Sequence, residues 1–193
     1  NPTWDLAGSK EETKNIISKL WKKADITLIS EKEATSSKIF SLIGQTNWDI
    51  IHYSGHAYFD KTNPDMSWLI LSDSTVTASE IKRVLNGNPL IFLNGCSSGR
   101  SDEKNFDQTW EDTTGIASSF LIGWAKWVIS TLWPISDRVW ADFAGNFYEQ
   151  FLKNNSIWNA LLTAKKEVYI AYPNDITWAS FIYYGDINLK INS

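Results

Sequence analysis

The chain has 193 residues, 43% of them hydrophobic and 21% charged, the balance of a soluble globular protein and a length that suits one domain with a sizeable core. Its formal charge of -4 argues against direct binding to nucleic acid, which needs a cationic surface. A single cysteine, Cys96, excludes an internal disulfide framework and any cysteine-based zinc site, and it points to a reducing, cytoplasmic compartment.

Ser9-Lys10-Glu11-Glu12 has the spacing of a capping box, and Ile16, Ile17 and Leu20 follow at helical intervals, so the first element is expected to be a helix. Residues 26–29 read as a short strand and residues 35–42 as a second helix. The apolar run Trp48-Asp49-Ile50-Ile51-His52-Tyr53 reads as a buried strand that ends at Ser54-Gly55-His56-Ala57. Residues 60–64 then form a loop or hairpin connection to a strand at 68–71. Thr77-Ala78-Ser79-Glu80 opens a capped helix that ends near Asn86-Gly87-Asn88.

A second apolar run, Pro89-Leu90-Ile91-Phe92-Leu93, breaks into the small polar turn Asn94-Gly95-Cys96-Ser97-Ser98-Gly99. Residues 101–114, with Asp102, Glu103, Asp107, Glu111 and Asp112, lack periodicity and read as a surface loop, either a solvated face or a functional one. A helix is expected from about Gly115, a strand over 128–133 stopped by Pro134, and a helix opened by Ser136 that runs through Phe147 and Phe151. Ser156 caps another through Leu161 and Val168, and residues 178–184 form the last strand. The eleven tryptophans, spread from Trp4 to Trp178, are read mainly as packing residues. No apolar stretch is long enough to span a bilayer, since even the run from Ile116 to Ala125 stops at Lys126. The chain opens at Asn1 without an initiator methionine and is read as a piece of a longer protein.

Strands alternating with helices of this length indicate an α/β layer structure with a mostly parallel central sheet flanked by helices, in a single domain spanning 1–193. Ligands of such sheets sit at the carboxyl ends of the strands. Cys96 and His56 each follow a strand immediately, so both are delivered to that edge. A thiolate is the reactive form of cysteine, and a neighbouring imidazole raises its fraction and later protonates the leaving amine. Cysteine alone is more often a buried, inert side chain; the turn of glycines and serines around Cys96 shifts the balance, because its amides are exposed to donate to an oxyanion.

His52 lies inside its strand and is read as a core histidine, which leaves His56 as the base. Gly95-Cys96-Ser97-Ser98-Gly99 also spells a nucleophile elbow with Ser97, but that fold places its histidine after the serine, and here both histidines precede it. His52 and His56, four apart, could place two metal ligands on one face of a helix, but this segment reads as strand and turn, and Tyr53 rather than a glutamate follows His52; no phosphate-binding or dinucleotide glycine pattern occurs. No metal and no cofactor are expected.

The segments Trp4-Asp5-Leu6-Ala7-Gly8-Ser9-Lys10-Glu11-Glu12, His52-Tyr53-Ser54-Gly55-His56-Ala57-Tyr58-Phe59-Asp60, Leu69-Ile70-Leu71-Ser72, Leu93-Asn94-Gly95-Cys96-Ser97-Ser98-Gly99, Ser130-Thr131-Leu132-Trp133-Pro134-Ile135-Ser136-Asp137, Phe147-Tyr148 and Trp178-Ala179-Ser180-Phe181-Ile182-Tyr183-Tyr184-Gly185-Asp186, taken in this order, resemble the CHAT domain. That is a caspase-like cysteine peptidase family often attached to tetratricopeptide repeats, and the resemblance covers nearly the whole chain. It implies a caspase-like α/β fold, His56 as general base and acid, Cys96 as nucleophile, and an oxyanion hole from the backbone N–H groups of Cys96 and Ala57. Many relatives carry glycine where this chain has Ala57 and alanine where it has Gly95. Trp124-Ala125-Lys126-Trp127 stands where relatives usually place Ala-Gly-Ala.

By the same resemblance, Trp133, Asp137 and the loop with Asp102 and Glu103 are candidate walls of the substrate pocket, Trp133 being equally readable as core. The implied activity is a cysteine endopeptidase that cleaves a protein partner after activation by an attached repeat region or a larger complex, in a prokaryotic defence or signalling system. The alternative is a caspase-like module that binds partners without catalysis. No membrane partner is expected.

Overall fold

A computed structural model of the chain describes residues 2–3, 6–58, 60, 62–94, 127–132, 137–153 and 156–188. Its helices among these residues are α1 (Ala7–Leu20), α2 (Ser36–Gln45), α3 (Ala78–Val84), α4 (Asp137–Phe151) and α5 (Ile157–Ala171). Its strands are β1 (Ile50–Ser54), β2 (Ala57–Tyr58), β3 (Trp68–Ile70), β4 (Thr75–Thr77), β5 (Leu90–Asn94), β6 (Trp127–Thr131) and β7 (Phe181–Tyr184). They gather into two compact units, one within 1–5, 29–134 and 182–185, the other within 6–28, 135–181 and 186–193.

The first unit holds a four-stranded sheet in the order β1-β5-β6-β7. β5 runs parallel to β1 on one side and to β6 on the other, with Ile50 opposite Leu90, Ser54 opposite Asn94, and Ile91 opposite Val128. Leu90, Ile91, Phe92 and Leu93 are all buried, which is why β5 reads as an unbroken apolar run, as a central parallel strand does. Alternation sends Ile91, Leu93 and Val128 to one face, where they form a single core with Ile43 of α2, Ile81 of α3, and Ala57, Leu69, Leu71 and Val76. Those last residues come from a second, antiparallel sheet, β2-β3-β4, and its margins.

Side-chain caps fix α2 and α3. Thr35 accepts the Lys38 N–H at the start of α2, and Asp73, in the β3–β4 turn, accepts both the N–H and the hydroxyl of Ser36 at 2.8 and 3.0 Å. Thr77 and Glu80 form the expected capping box on α3, each side chain accepting the other's backbone N–H. The chain then turns through Gly87, whose φ of +80° is left-handed and favours glycine.

Residues 26–29 do not form the expected strand. Ile26 and Leu28 are exposed and the segment carries no ladder, so a β-rich composition without a neighbouring edge stays irregular.

The second unit is built on α1, α4 and α5. Trp140, Phe143, Phe147, Tyr148 and Phe151 of α4 are buried, Ile157, Ala160, Leu161, Ala164 and Val168 line the inner face of α5, and Phe181 stacks on Phe143 with centroids 3.4 Å apart. Ser156 caps α5 as expected, accepting the Asn159 N–H at 3.3 Å. The capping box expected at Ser9 does not form: α1 already begins at Ala7, and Glu12 is buried, its carboxylate accepting the Trp140 indole N–H. A buried donor from α4 outcompetes a local backbone amide that the helix itself can satisfy.

The expected last strand starts later, at Phe181, because Ile176–Ala179 is a 3₁₀ turn capped by Asp175. Trp140 fits the reading of tryptophan as a packing residue, whereas Trp21 and Trp158 are exposed on the surface. The acidic loop of 101–114 and the helix expected from Gly115 lie outside the described residues. Among the described residues, no helix is long and apolar enough to cross a membrane.

Candidate active site

β1 and β5 are in register to their last residues, so Ser54 and Asn94 stand opposite each other at the carboxyl edge of the sheet. His56 comes two residues after Ser54, and Cys96 two residues after Asn94. The ladder continues one step beyond β1, since the Gly55 N–H donates to the Asn94 carbonyl at 2.9 Å, and the Asn94 amide reaches the Ser54 hydroxyl at 3.4 Å. Cys96 itself lies outside the described residues, as do Asp102, Glu103 and Trp133. Asp137 is the first residue of α4.

The turn that carries His56 is held from below. Tyr53 points to the face occupied by α2 and α3, and its hydroxyl donates to the His56 carbonyl at 2.6 Å while also reaching the Ile70 carbonyl at 3.0 Å. The Ile70 N–H donates to the same His56 carbonyl at 2.9 Å. Burial pushes the Tyr53 phenol well above its ordinary value, so it stays protonated and remains a donor. Gly55 makes room for it: a Cβ there would come within 2.7 Å of Tyr53 Cζ and closer still to the hydroxyl. Tyr53 and Gly55 shape this turn, and the sequence pattern did not single them out, because the Tyr53 hydroxyl's partner, Ile70, lies 17 residues away on another strand.

Ala57 opens β2 opposite Leu69 and is buried. In an antiparallel ladder, bonded and non-bonded pairs alternate. With His56 and Ile70 bonded, Ala57 and Leu69 form a non-bonded pair, and the Ala57 amide is directed away from β3. β2 is the edge strand of its sheet on that side. His52, three residues into β1, is half-buried and stacks on its register partner Phe92, centroids 4.7 Å apart.

The sequence pattern of the CHAT domain matches residues 2–186. The chain belongs to the CHAT domain family. Two crystal structures of the Saccharomyces cerevisiae separase–securin complex, at 2.6 and 3.0 Å, are similar to this CHAT domain over 95% and 96% of its length, with TM-scores of 0.59 and 0.60 and sequence identities of 19% and 21%. The CHAT domain spans 11% of the length of each of those chains. At that identity the likeness is one of fold, and it gives this CHAT domain the caspase-like α/β architecture with a mostly parallel sheet. A search of curated proteins finds no match.

Proposed function

We propose that this CHAT domain is a cysteine endopeptidase in which His56 and Cys96 form the catalytic dyad. The observation that carries the reading is the register of β1 and β5, which sets Ser54 opposite Asn94, each two residues ahead of a dyad member. The imidazole of His56 takes the Cys96 thiol proton, and the thiolate adds to the carbonyl carbon of the cleaved peptide bond. The resulting oxyanion accepts hydrogen bonds from the N–H groups of Ala57 and Cys96; the outward amide expected of a non-bonded ladder position supports the role of Ala57. His56 then returns the proton to the leaving amine, the carbon–nitrogen bond breaks, and water hydrolyses the thioester.

In this reading residues 1–193 act as one domain, as the single family match across both units supports. Asp102, Glu103, Trp133 and Asp137 contribute to the substrate pocket, and no cofactor takes part. The substrate is a protein, and activity in the cytoplasm is raised by an attached repeat region or complex, in a prokaryotic defence or signalling system. The presence of securin in the complexes with similar structure supports a protein partner.

The test is a proteomic search for cleaved proteins in cells that carry the wild type or Cys96→Ala. Cut sites seen only with the wild type are expected. Identical proteomes, with both forms binding the same partner, would leave the non-catalytic interaction module as the better reading.

A further inference from the structure

The sheet that follows His56 has one face in the core and the other partly exposed. Ala57, Leu69 and Val76 belong to the buried cluster, and alternation turns their neighbours the other way. Tyr58 pairs in register with Trp68. Their rings stack with centroids 5.1 Å apart at 23°. Tyr58 is 41% exposed and Trp68 half-buried. Each ring limits the rotamers of the other, so the pair presents a flat apolar surface whose shape is set before anything binds.

His56 stands two residues before Tyr58, and the bond from the Ile70 N–H to the His56 carbonyl carries the β2–β3 ladder back to it. His56 and Tyr58 therefore share a face, about 7 Å apart along the strand. On the proposed peptidase reading, the imidazole hands its proton to the leaving amine, which is the nitrogen of the residue just after the cleaved bond. That residue must come within about 3 Å of the imidazole. An extended substrate advances about 3.3 Å per residue, so the first and second residues beyond the cut fall within reach of Tyr58.

We infer that the Tyr58–Trp68 pair is the subsite for the side chain one or two residues after the cleaved bond, and that it selects large apolar residues there: aromatic residues, leucine and methionine. The substrate specificity of this domain is set on both sides of the cut, with the side that follows it read by the hairpin that also carries the base.

Two measurements on the 193-residue chain test this. The first is digestion of a proteome-derived peptide library with sequencing of the new N-termini. Enrichment of large apolar residues in the first two positions is expected, lost in Tyr58→Ala and kept in Tyr58→Phe, which retains the stack. The second needs no turnover: short peptides that begin with Phe-Leu or with Gly-Gly, mimics of the released fragment, are titrated against the protein. Phe-Leu peptides should bind better to the wild type and lose about tenfold in affinity with Tyr58→Ala, the scale of one aromatic contact. Cleavage without preference after the cut, or equal binding of both peptides to both proteins, overturns the subsite and leaves the dyad standing. If the library is untouched and Cys96 is alkylated equally fast in wild type and His56→Ala, the peptidase reading falls, and the subsite falls with it.

Discussion

At the scale of single residues, the base of the proposed dyad is held by its backbone. The Tyr53 hydroxyl and the Ile70 N–H both donate to the His56 carbonyl, and the hydroxyl is the one that a single substitution removes cleanly. Tyr53→Phe keeps the ring in its packing, removes the hydroxyl's bond to the His56 carbonyl and leaves the bond from the Ile70 N–H in place. A net loss of about 1 kcal/mol in stability is expected for the missing bond, together with about a tenfold fall in kcat at constant KM, because a misplaced base costs the transition state more than substrate binding. A fall in KM-limited binding instead, with kcat unchanged, would count against a positioning role. Gly55→Ala drives a methyl group into the Tyr53 ring and should cost about 1–3 kcal/mol, as overpacking does, read as a lower urea midpoint. His56 was readable as a candidate base because a glycine ends the apolar run just before it, whereas Ala57 became a candidate only through the family resemblance. The Tyr53 clamp was not legible, since it exists only once β3 has folded back beside β2.

Among the elements, local signals succeeded where no tertiary competitor intervened. Thr77 and Glu80 were readable as a capping box because α3 opens at the surface, where the box has no rival. Ser9 and Glu12 have the same spacing, but Trp140 of α4 claims Glu12. Removing that acceptor by Glu12→Ala leaves a buried indole N–H unsatisfied, and a loss of about 1–3 kcal/mol is expected by urea unfolding. The strand expected over 26–29 failed for the complementary reason: among the described residues no neighbouring strand pairs with it, and Ile26 and Leu28 stay exposed.

The link between α1 and α4 also carries a pH dependence. Lys19, with Lys153 adding to it, holds the Glu149 carboxyl down to about 2. A folded-state value below the unfolded one, about 4.3 for an ordinary glutamate, contributes stability that is present above that pH and lost as the pH falls through the folded value. The difference in urea midpoint between wild type and Glu149→Gln should therefore be constant above about pH 5 and close progressively towards pH 2. A difference that persists unchanged at pH 2 would mean that the carboxylate charge is not its source.

For the whole molecule, the alternation of strands and helices was enough to give the α/β class and the mostly parallel sheet, and the ordered set of motifs was enough to give the family that residues 2–186 match. The order β1-β5-β6-β7 and the small antiparallel sheet beside it were not readable, because which strands become neighbours depends on contacts far apart in the chain. Of the candidate site, the two strand ends were legible and are in register. What the sequence pattern assigns to Cys96 rests on that register and on the family.

Whether His56, and not His52, activates Cys96 is read from the pH dependence of Cys96 alkylation by iodoacetamide in wild type, His56→Ala and His52→Ala. An isolated thiol reacts through a thiolate that forms around pH 8.5. With His56 as the base, the wild type is alkylated rapidly well below that pH, His56→Ala shifts to the profile of an isolated thiol, and folded His52→Ala keeps the low-pH reactivity. Low-pH reactivity that survives in folded His56→Ala, or is lost only in His52→Ala, would contradict that role.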